Sequence, residues 1–261
     1  MSESLLRINN LTISIQGESG YSEIVKDLAL EIGPSQNAAL VGSSGSGKTT
    51  IGLAILGLLP EAMYISNGQI IFKGENLLNL SAAKMRKARG KEISMIFQEP
   101  LSAFNPVFTV GFQIEEMIRF HLRLKRRQRK ERVRALLDAV GIPDPKRVAA
   151  SYPHQLSGGI RQRAMIAQAI AAEPSLLIAD EPTSNLDVTL QAHVIELFRK
   201  LKDTLKISTL LITHDLGVVR QLADKVAVLY DGRVVETGET QEVLSRPKHP
   251  FTCELVKTVS V

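Results

Sequence analysis

Gly42, Gly47, Lys48 and Thr49 occur in the stretch GSSGSGKTT, residues 42–50, at the spacing G-x-x-x-x-G-K-[ST]. The intervening Ser43, Ser44, Gly45 and Ser46 are small. They let the backbone wrap closely, so that its N–H groups converge on phosphate oxygens. A helix opening at Thr50 adds positive potential on the same side. Lys48 is expected to reach the β- and γ-phosphates of a nucleotide, and the Thr49 hydroxyl to sit on Mg²⁺.

Two adjacent carboxylates, Asp180 and Glu181, lie near the end of the apolar run SLLIADEP, residues 175–182. That run reads as a buried strand, and open α/β sheets bind ligands at the carboxyl ends of their strands. Asp180 is then expected to hold Mg²⁺ through water, and Glu181 to polarise an attacking water. Successive strand residues point opposite ways, but the strand is ending, so both carboxylates are expected near the phosphates. Gln98 follows the apolar segment EISMIF and offers a neutral amide that can ligate the metal or orient water. His214 ends LLITH, where an imidazole can hydrogen-bond a γ-phosphate oxygen and hold the water of Glu181. His121, His154, His193 and His249 show no ligand spacing.

A third constellation is LSGG, residues 156–159. Ser157 offers a hydroxyl, and Gly158 and Gly159 offer bare N–H groups before a helix expected from about Ile160. That combination is a second anion-binding helix start, although an ordinary N-cap gives the same short pattern. To reach the phosphates of its own P-loop, this turn would have to cross the helical stretch that precedes it.

The elements around these groups alternate. Residues 5–15 read as an edge strand and QNAALVG, 36–42, as a short strand into the P-loop, followed by a helix from Thr50 to Leu59. GQIIFKG and EISMIF read as further strands. From about residue 99 to 163 charged helical segments dominate. There Val133, Leu136, Leu137 and Val140 fall at helical spacing before Gly141. This looks like a helical lobe inserted into a core that spans 1–98 and resumes over 164–245, with a short tail at 246–261. In the resumed core an amphipathic helix carries Leu190, Val194, Leu197, Phe198, Leu201 and Leu205 on one face. Two later strands are joined at Asp231-Gly232, a hairpin signal. Strands alternating with helices imply a mainly parallel sheet covered on both faces.

Composition narrows the setting. The 261 residues are 44% hydrophobic and 23% charged, as in a soluble globular protein. Cys253 is the only cysteine, so an internal disulfide or a cysteine metal cluster is excluded, and a reducing compartment fits. The start, MSESLLRINN, has no signal-peptide pattern. The most apolar run, residues 51–60, is too short to cross a bilayer. The net charge of +5 is concentrated in KRRQRKERVR, residues 125–134. A solvated helix face is the plain reading of that run, and a nucleic-acid or lipid-headgroup contact the alternative.

The joint order of P-loop, Gln98, LSGG, LLIADE, SNLD and His214 resembles the ATP-binding subunit of ABC transporters over essentially the whole chain. The resemblance implies an α/β fold: a P-loop NTPase core with a mainly parallel sheet, N-terminal antiparallel strands and an inserted helical subdomain. It implies head-to-tail pairing with a second ATP-binding subunit, in which Ser157 and Gly159 touch the γ-phosphate of ATP held by the partner's Lys48. Asp187 would line that seam, and Tyr21 is the candidate to stack on adenine. Two transmembrane permease subunits, an extracytoplasmic substrate-binding protein and a place at the cytoplasmic face of the membrane follow from the same resemblance, with no nucleic acid. The stretches FQEPLSAFNPVFTVGFQI and RPKHPFT look like the dipeptide, oligopeptide and nickel importer subgroup, and the chain resembles its shorter members, which lack clustered cysteines. A soluble ABC-type ATPase serving an enzyme complex, such as a carbon–phosphorus lyase, or nucleic acid is the alternative. Ile160 in LSGGIRQR departs from the usual Met or Gln, and GPSQNAALVG lacks the usual charged residue, but neither change removes a phosphate ligand.

Overall fold

A computed structural model describes residues 4–17, 20–99, 103–184 and 186–257. Pro100, Leu101 and Ser102 of the subgroup stretch, Asn185 of SNLD and the last four residues of the expected tail lie outside these.

Two sheets form, and side-chain alternation decides how they are layered. The first is antiparallel, in the order β2 (Gly20–Ile32), β1 (Leu6–Gly17), β4 (Met63–Phe72), β5 (Glu75–Asn76). The second runs β10 (Arg233–Glu239), β9 (Lys225–Tyr230), β3 (Asn37–Gly42), β8 (Ser208–Thr213), β7 (Leu176–Asp180), β6 (Ile93–Ile96), and is parallel except for the β9–β10 hairpin. Its central strands are buried along their whole length, as parallel strands covered on both faces must be. Ala38, Leu40, Leu176, Ile178, Leu210 and Ile212 face α1 (Lys48–Ile55) and the antiparallel sheet. Ala39, Val41, Leu177, Ala179 and Leu211 face the opposite, helical layer.

That second layer holds α6 (Gly158–Ala169), α7 (Val188–Leu205) and α8 (Leu216–Leu222). The inserted helices α3 (Val110–His121), α4 (Arg126–Ala139) and α5 (Pro145–Ala150) extend the same apolar cluster through Val110, Ile114, Ile118, Leu137 and Val148. Among the described residues there are also the α-helices α2 (Ala82–Ala88), α9 (Thr240–Ser245) and α10 (Pro250–Lys257). Residue 163, expected as the end of the lobe, lies inside α6.

Packing rather than propensity holds α1. It has eight residues, well short of what an isolated helix needs in water. Ile51 and Ile55 are fully buried between the two sheets, and each such side chain contributes about 2 kcal/mol.

Three local expectations are corrected. The first strand is not an edge, because β2 and β4 flank β1 on both sides. The P-loop helix stops at Ile55, short of the expected end at Leu59, since Leu56 caps it and Gly57 adopts a left-handed φ of 60°. The helix after LSGG begins at Gly158 rather than at Ile160.

Candidate active site

The P-loop leaves β3 at Gly42 and enters α1 at Gly47, whose φ of 100° is closed to most L-residues. No side chain caps α1 and no acidic residue sits in its own first turn, so its first N–H groups are left without a side-chain cap. Lys48 Nζ lies in the cradle, donating to the carbonyls of Gly42 at 2.9 Å and Ser43 at 2.8 Å. Burial lowers the Lys48 pKa, while Glu181 and Asp180 pull it back up.

β7 carries the carboxylates to this loop. Thr49 Oγ1 donates to Asp180 Oδ2 at 2.8 Å, so the two expected metal ligands already touch. Asp180 is buried, and that burial raises its pKa; Glu181 adds to the rise, against the Thr49 hydrogen bond and Lys48. Glu181 has a φ of 46°, a left-handed conformation that costs roughly 1–3 kcal/mol for a residue bearing Cβ. The turn breaks the strand alternation, which is how neighbouring carboxylates come to line one cavity.

The carboxylate of Glu181 is held from β8. Oε2 accepts from Thr213 Oγ1 at 3.1 Å, and Oε1 accepts from the His214 backbone N–H at 3.1 Å. His214 Nδ1 lies 2.7 Å from the same Oε1. His214 therefore orients Glu181 directly. With Nδ1–H on the carboxylate, the other ring nitrogen donates to a phosphate oxygen only when the ring carries both protons.

These groups share one cavity of about 770 Å³, lined by Gly42, Ser43, Ser44, Gly45, Gly47, Lys48, Thr49, Thr50, Gln98, Asp180, Glu181 and His214. Gln98 lies two residues beyond β6 and is exposed at the rim. Ser46 is buried behind the loop and does not line the cavity. Ile24, Met63 and Leu255 complete the wall. Tyr21 is outside it: 70% exposed, with its ring edge-on to Tyr64 at 6.0 Å.

The Ser-Gly-Gly turn does not line this cavity either. Ser157 sits at the N-cap of α6 with extended backbone, yet its hydroxyl caps no N–H of that helix. A Cβ on Gly159 would lie 2.7 Å from Leu190 of α7, whereas one on Gly158 would meet nothing within 4 Å. Packing inside the chain thus accounts for the second glycine, and the first faces open space. Asp187 caps α7, its Oδ1 accepting from Leu190 N at 2.9 Å, and is exposed beside Val188, itself 85% exposed.

Some residues of the cavity and its supports carried no usable signal in the sequence. Ile24, Met63 and Leu255 are apolar residues far apart in the chain. Thr213 and Gln162 were legible only as neighbours of motifs. Gln162 is buried and donates to the Pro182 carbonyl at 2.7 Å, keying α6 to the turn after Glu181.

Comparison with known proteins agrees with this geometry. The family profile described as "ABC transporter" matches residues 25–184. A putative peptide import ATP-binding protein of Brucella abortus is 44% identical over 255 residues, covering 98% of this chain and 77% of the relative. A dipeptide transport ATP-binding protein of Bacillus subtilis is 43% identical, with 98% and 77% covered. The oligopeptide transport ATP-binding protein of the same organism is also 43% identical, with 98% and 72% covered. Among solved structures, a dimeric ATP-binding cassette in a post-hydrolysis state bound to ADP and Pi superposes with a TM-score of 0.81 at 26% identity, covering 90% of this chain and 98% of that one.

Proposed function

This chain belongs to the ABC transporter ATP-binding family, and from that premise we propose that it hydrolyses MgATP to energise the import of peptides through a membrane permease. Gly42–Thr50 binds the triphosphate, Glu181 polarises the attacking water, and His214 with Thr213 keeps that carboxylate aimed. Mg²⁺ fits the donor set, because the Thr49 hydroxyl, the Asp180 carboxylate and the Gln98 amide are all hard oxygen ligands, two of them already 2.8 Å apart. The metal would neutralise charge developing on the transferred phosphoryl group. The second subunit, an identical chain or a paralogue, brings its own Ser157–Gly159 turn to these phosphates, and Asp187 lies in the seam. ATP then closes the pair and hydrolysis reopens it.

One observation carries the transport reading. Phe97 and Gln98 are consecutive, yet Gln98 lines the nucleotide cavity while Phe97 lines a separate apolar groove of about 380 Å³. Leu58, Phe97 and Phe120 expose 43%, 38% and 63% of their surface there. A permease segment seated in that groove is one residue away from the nucleotide. Two permease subunits and a substrate-binding protein complete the importer at the cytoplasmic face of the membrane. No helix among the described residues is long and apolar enough to cross a membrane, so the permeases supply that part. The names of the relatives favour peptides over nickel or other metal chelates as cargo.

Affinity purification from detergent-solubilised membranes tests this directly. Two integral membrane proteins are expected to co-purify, and Phe97→Asp with Phe120→Asp should release them. Recovery of a wholly soluble complex would replace transport with the enzyme-assembly alternative.

A further inference from the structure

The basic run at 125–134 is spread around α4, and only part of it is neutralised. Arg127 pairs with Glu131 at 2.9 Å, Arg129 with Glu115 at 3.1 Å and Arg132 with Glu173 at 2.8 Å. Arg126, Lys130 and Arg134 recur at i, i+4 and i+8, so they share another face. All three are exposed, and none makes an ion pair or side-chain hydrogen bond with the described residues. Like charges at this spacing destabilise a helix, so three solvated cations in a row oppose α4 rather than support it.

These three line an open groove of about 410 Å³ with Lys146 of α5, which is likewise unpaired among the described residues. Glu115 is the one acidic residue on its wall and is already held by Arg129. Phe112 also lines it, 45% exposed and stacked on Phe108 at 4.9 Å. We propose that this groove between α3, α4 and α5 docks an acidic segment of a protein partner.

The shape favours a peptide over a membrane surface, because the cations edge a recess walled by α3 and α5, where a flat bilayer reaches them poorly. The row from Arg126 to Arg134 spans about 12 Å of helix, which matches carboxylates repeated along one face of a partner segment. The stacked Phe108 and Phe112 offer an apolar anchor at the side. The site is also placed to regulate. Val110 N of α3 donates to Ser151 O just past α5 at 3.0 Å, and the chain reaches Ser157 six residues later. A partner gripping α4 and α5 therefore acts on the segment that leads into the Ser-Gly-Gly turn. This site is independent of the importer reading and stands or falls without it.

The test uses the full chain and a fluorescein-labelled synthetic peptide with Glu at every fourth position and one Phe, against the same peptide with Gln for Glu. Fluorescence anisotropy should show the Glu peptide binding about tenfold more tightly or better, and Arg126→Glu/Lys130→Glu/Arg134→Glu should erase that margin. Reversing Arg86, Lys87 and Lys91 instead changes the net charge equally and should leave binding within about twofold, with ATPase activity unchanged in both. The milder Lys130→Gln/Arg134→Gln should weaken binding about threefold, and it carries the test if the triple variant misfolds. Equal loss in both triple reversals, or absence of peptide binding, overturns the proposal. Binding to phosphatidylglycerol vesicles with this variant dependence, and not to the peptide, overturns it in favour of a lipid surface.

Discussion

α1 and α6 begin alike and face different ways. Each starts at or beside a glycine, and neither uses a side chain to cap its own N–H groups. Each therefore leaves its first N–H groups without a side-chain cap at the positive end of the helix dipole. The start of α1 opens into a cavity that the chain furnishes with Lys48, Asp180 and Glu181. Ser157 and Gly158 at the start of α6 are exposed and line no part of that cavity. One chain thus carries two glycine-led helix starts without side-chain caps, and only one of them opens into a cavity lined by a lysine and two carboxylates. That difference is what the proposed pairing explains: the exposed α6 end is free to complete the cavity of a second ATP-binding subunit.

The largest expected effect tests the furnished end. Glu181→Gln keeps the size of the side chain and its contact with Thr213 but removes the carboxylate proposed as the base. Phosphate release should fall about 10²–10⁴-fold, while size-exclusion chromatography with MgATP should show the closed pair accumulating. Turnover near the native rate would mean that the base lies elsewhere and that the strained φ of Glu181 has another purpose.

The next effect joins the two ends. On the proposed pairing Ser157→Ala removes one oriented phosphate donor, and losses of that kind run to about a hundredfold in rate. Lys48→Ala should disable its own phosphate cradle. If the sandwich is right, mixing the two single variants puts both lesions in one site of the mixed pair and leaves the other intact. Random pairing across a two-fold interface should then restore about a quarter of native activity. A turn serving its own chain's nucleotide would leave every site in the mixture broken, with no recovery.

The motif residues were legible because phosphate and metal chemistry allows few side chains and fixes their spacing. Gly42, Lys48, Thr49, Asp180, Glu181 and Gln98 could be grouped from the sequence, and they meet in one cavity. Strand identity was legible too, since buried parallel strands such as LLIAD admit little but aliphatic residues. Lateral placement was not. β1 looked like an edge because alternation reports which face is buried, while β2 and β4 flank it through backbone hydrogen bonds that leave no trace in side-chain type. The contact of His214 with Glu181 was similarly hidden. It depends on the left-handed turn at Glu181, and nothing in the dipeptide Asp-Glu announces that conformation.

The smallest effect concerns the apolar wall of the same cavity, where the proposed reading seats the purine and the two-ended comparison is silent. An aromatic platform was expected at Tyr21, but Ile24, Met63 and Leu255 line the wall and Tyr21 leans on Tyr64 outside it. Leu255 belongs to α10, so the helix that opens with the PFT of RPKHPFT also lines the P-loop cavity. Trimming a side chain that covers part of a purine removes about 1 kcal/mol of apolar contact, which is roughly fivefold in Kd. Leu255→Ala should therefore weaken ATP about fivefold with the catalytic rate at saturation unchanged, and Tyr21→Ala should move Kd less than about twofold. Titration with a fluorescent ATP analogue, competed by ATP, reads both. If Tyr21→Ala has the larger effect, the hairpin between β1 and β2 must fold over the base when nucleotide binds, and the aliphatic wall is only the back of the pocket.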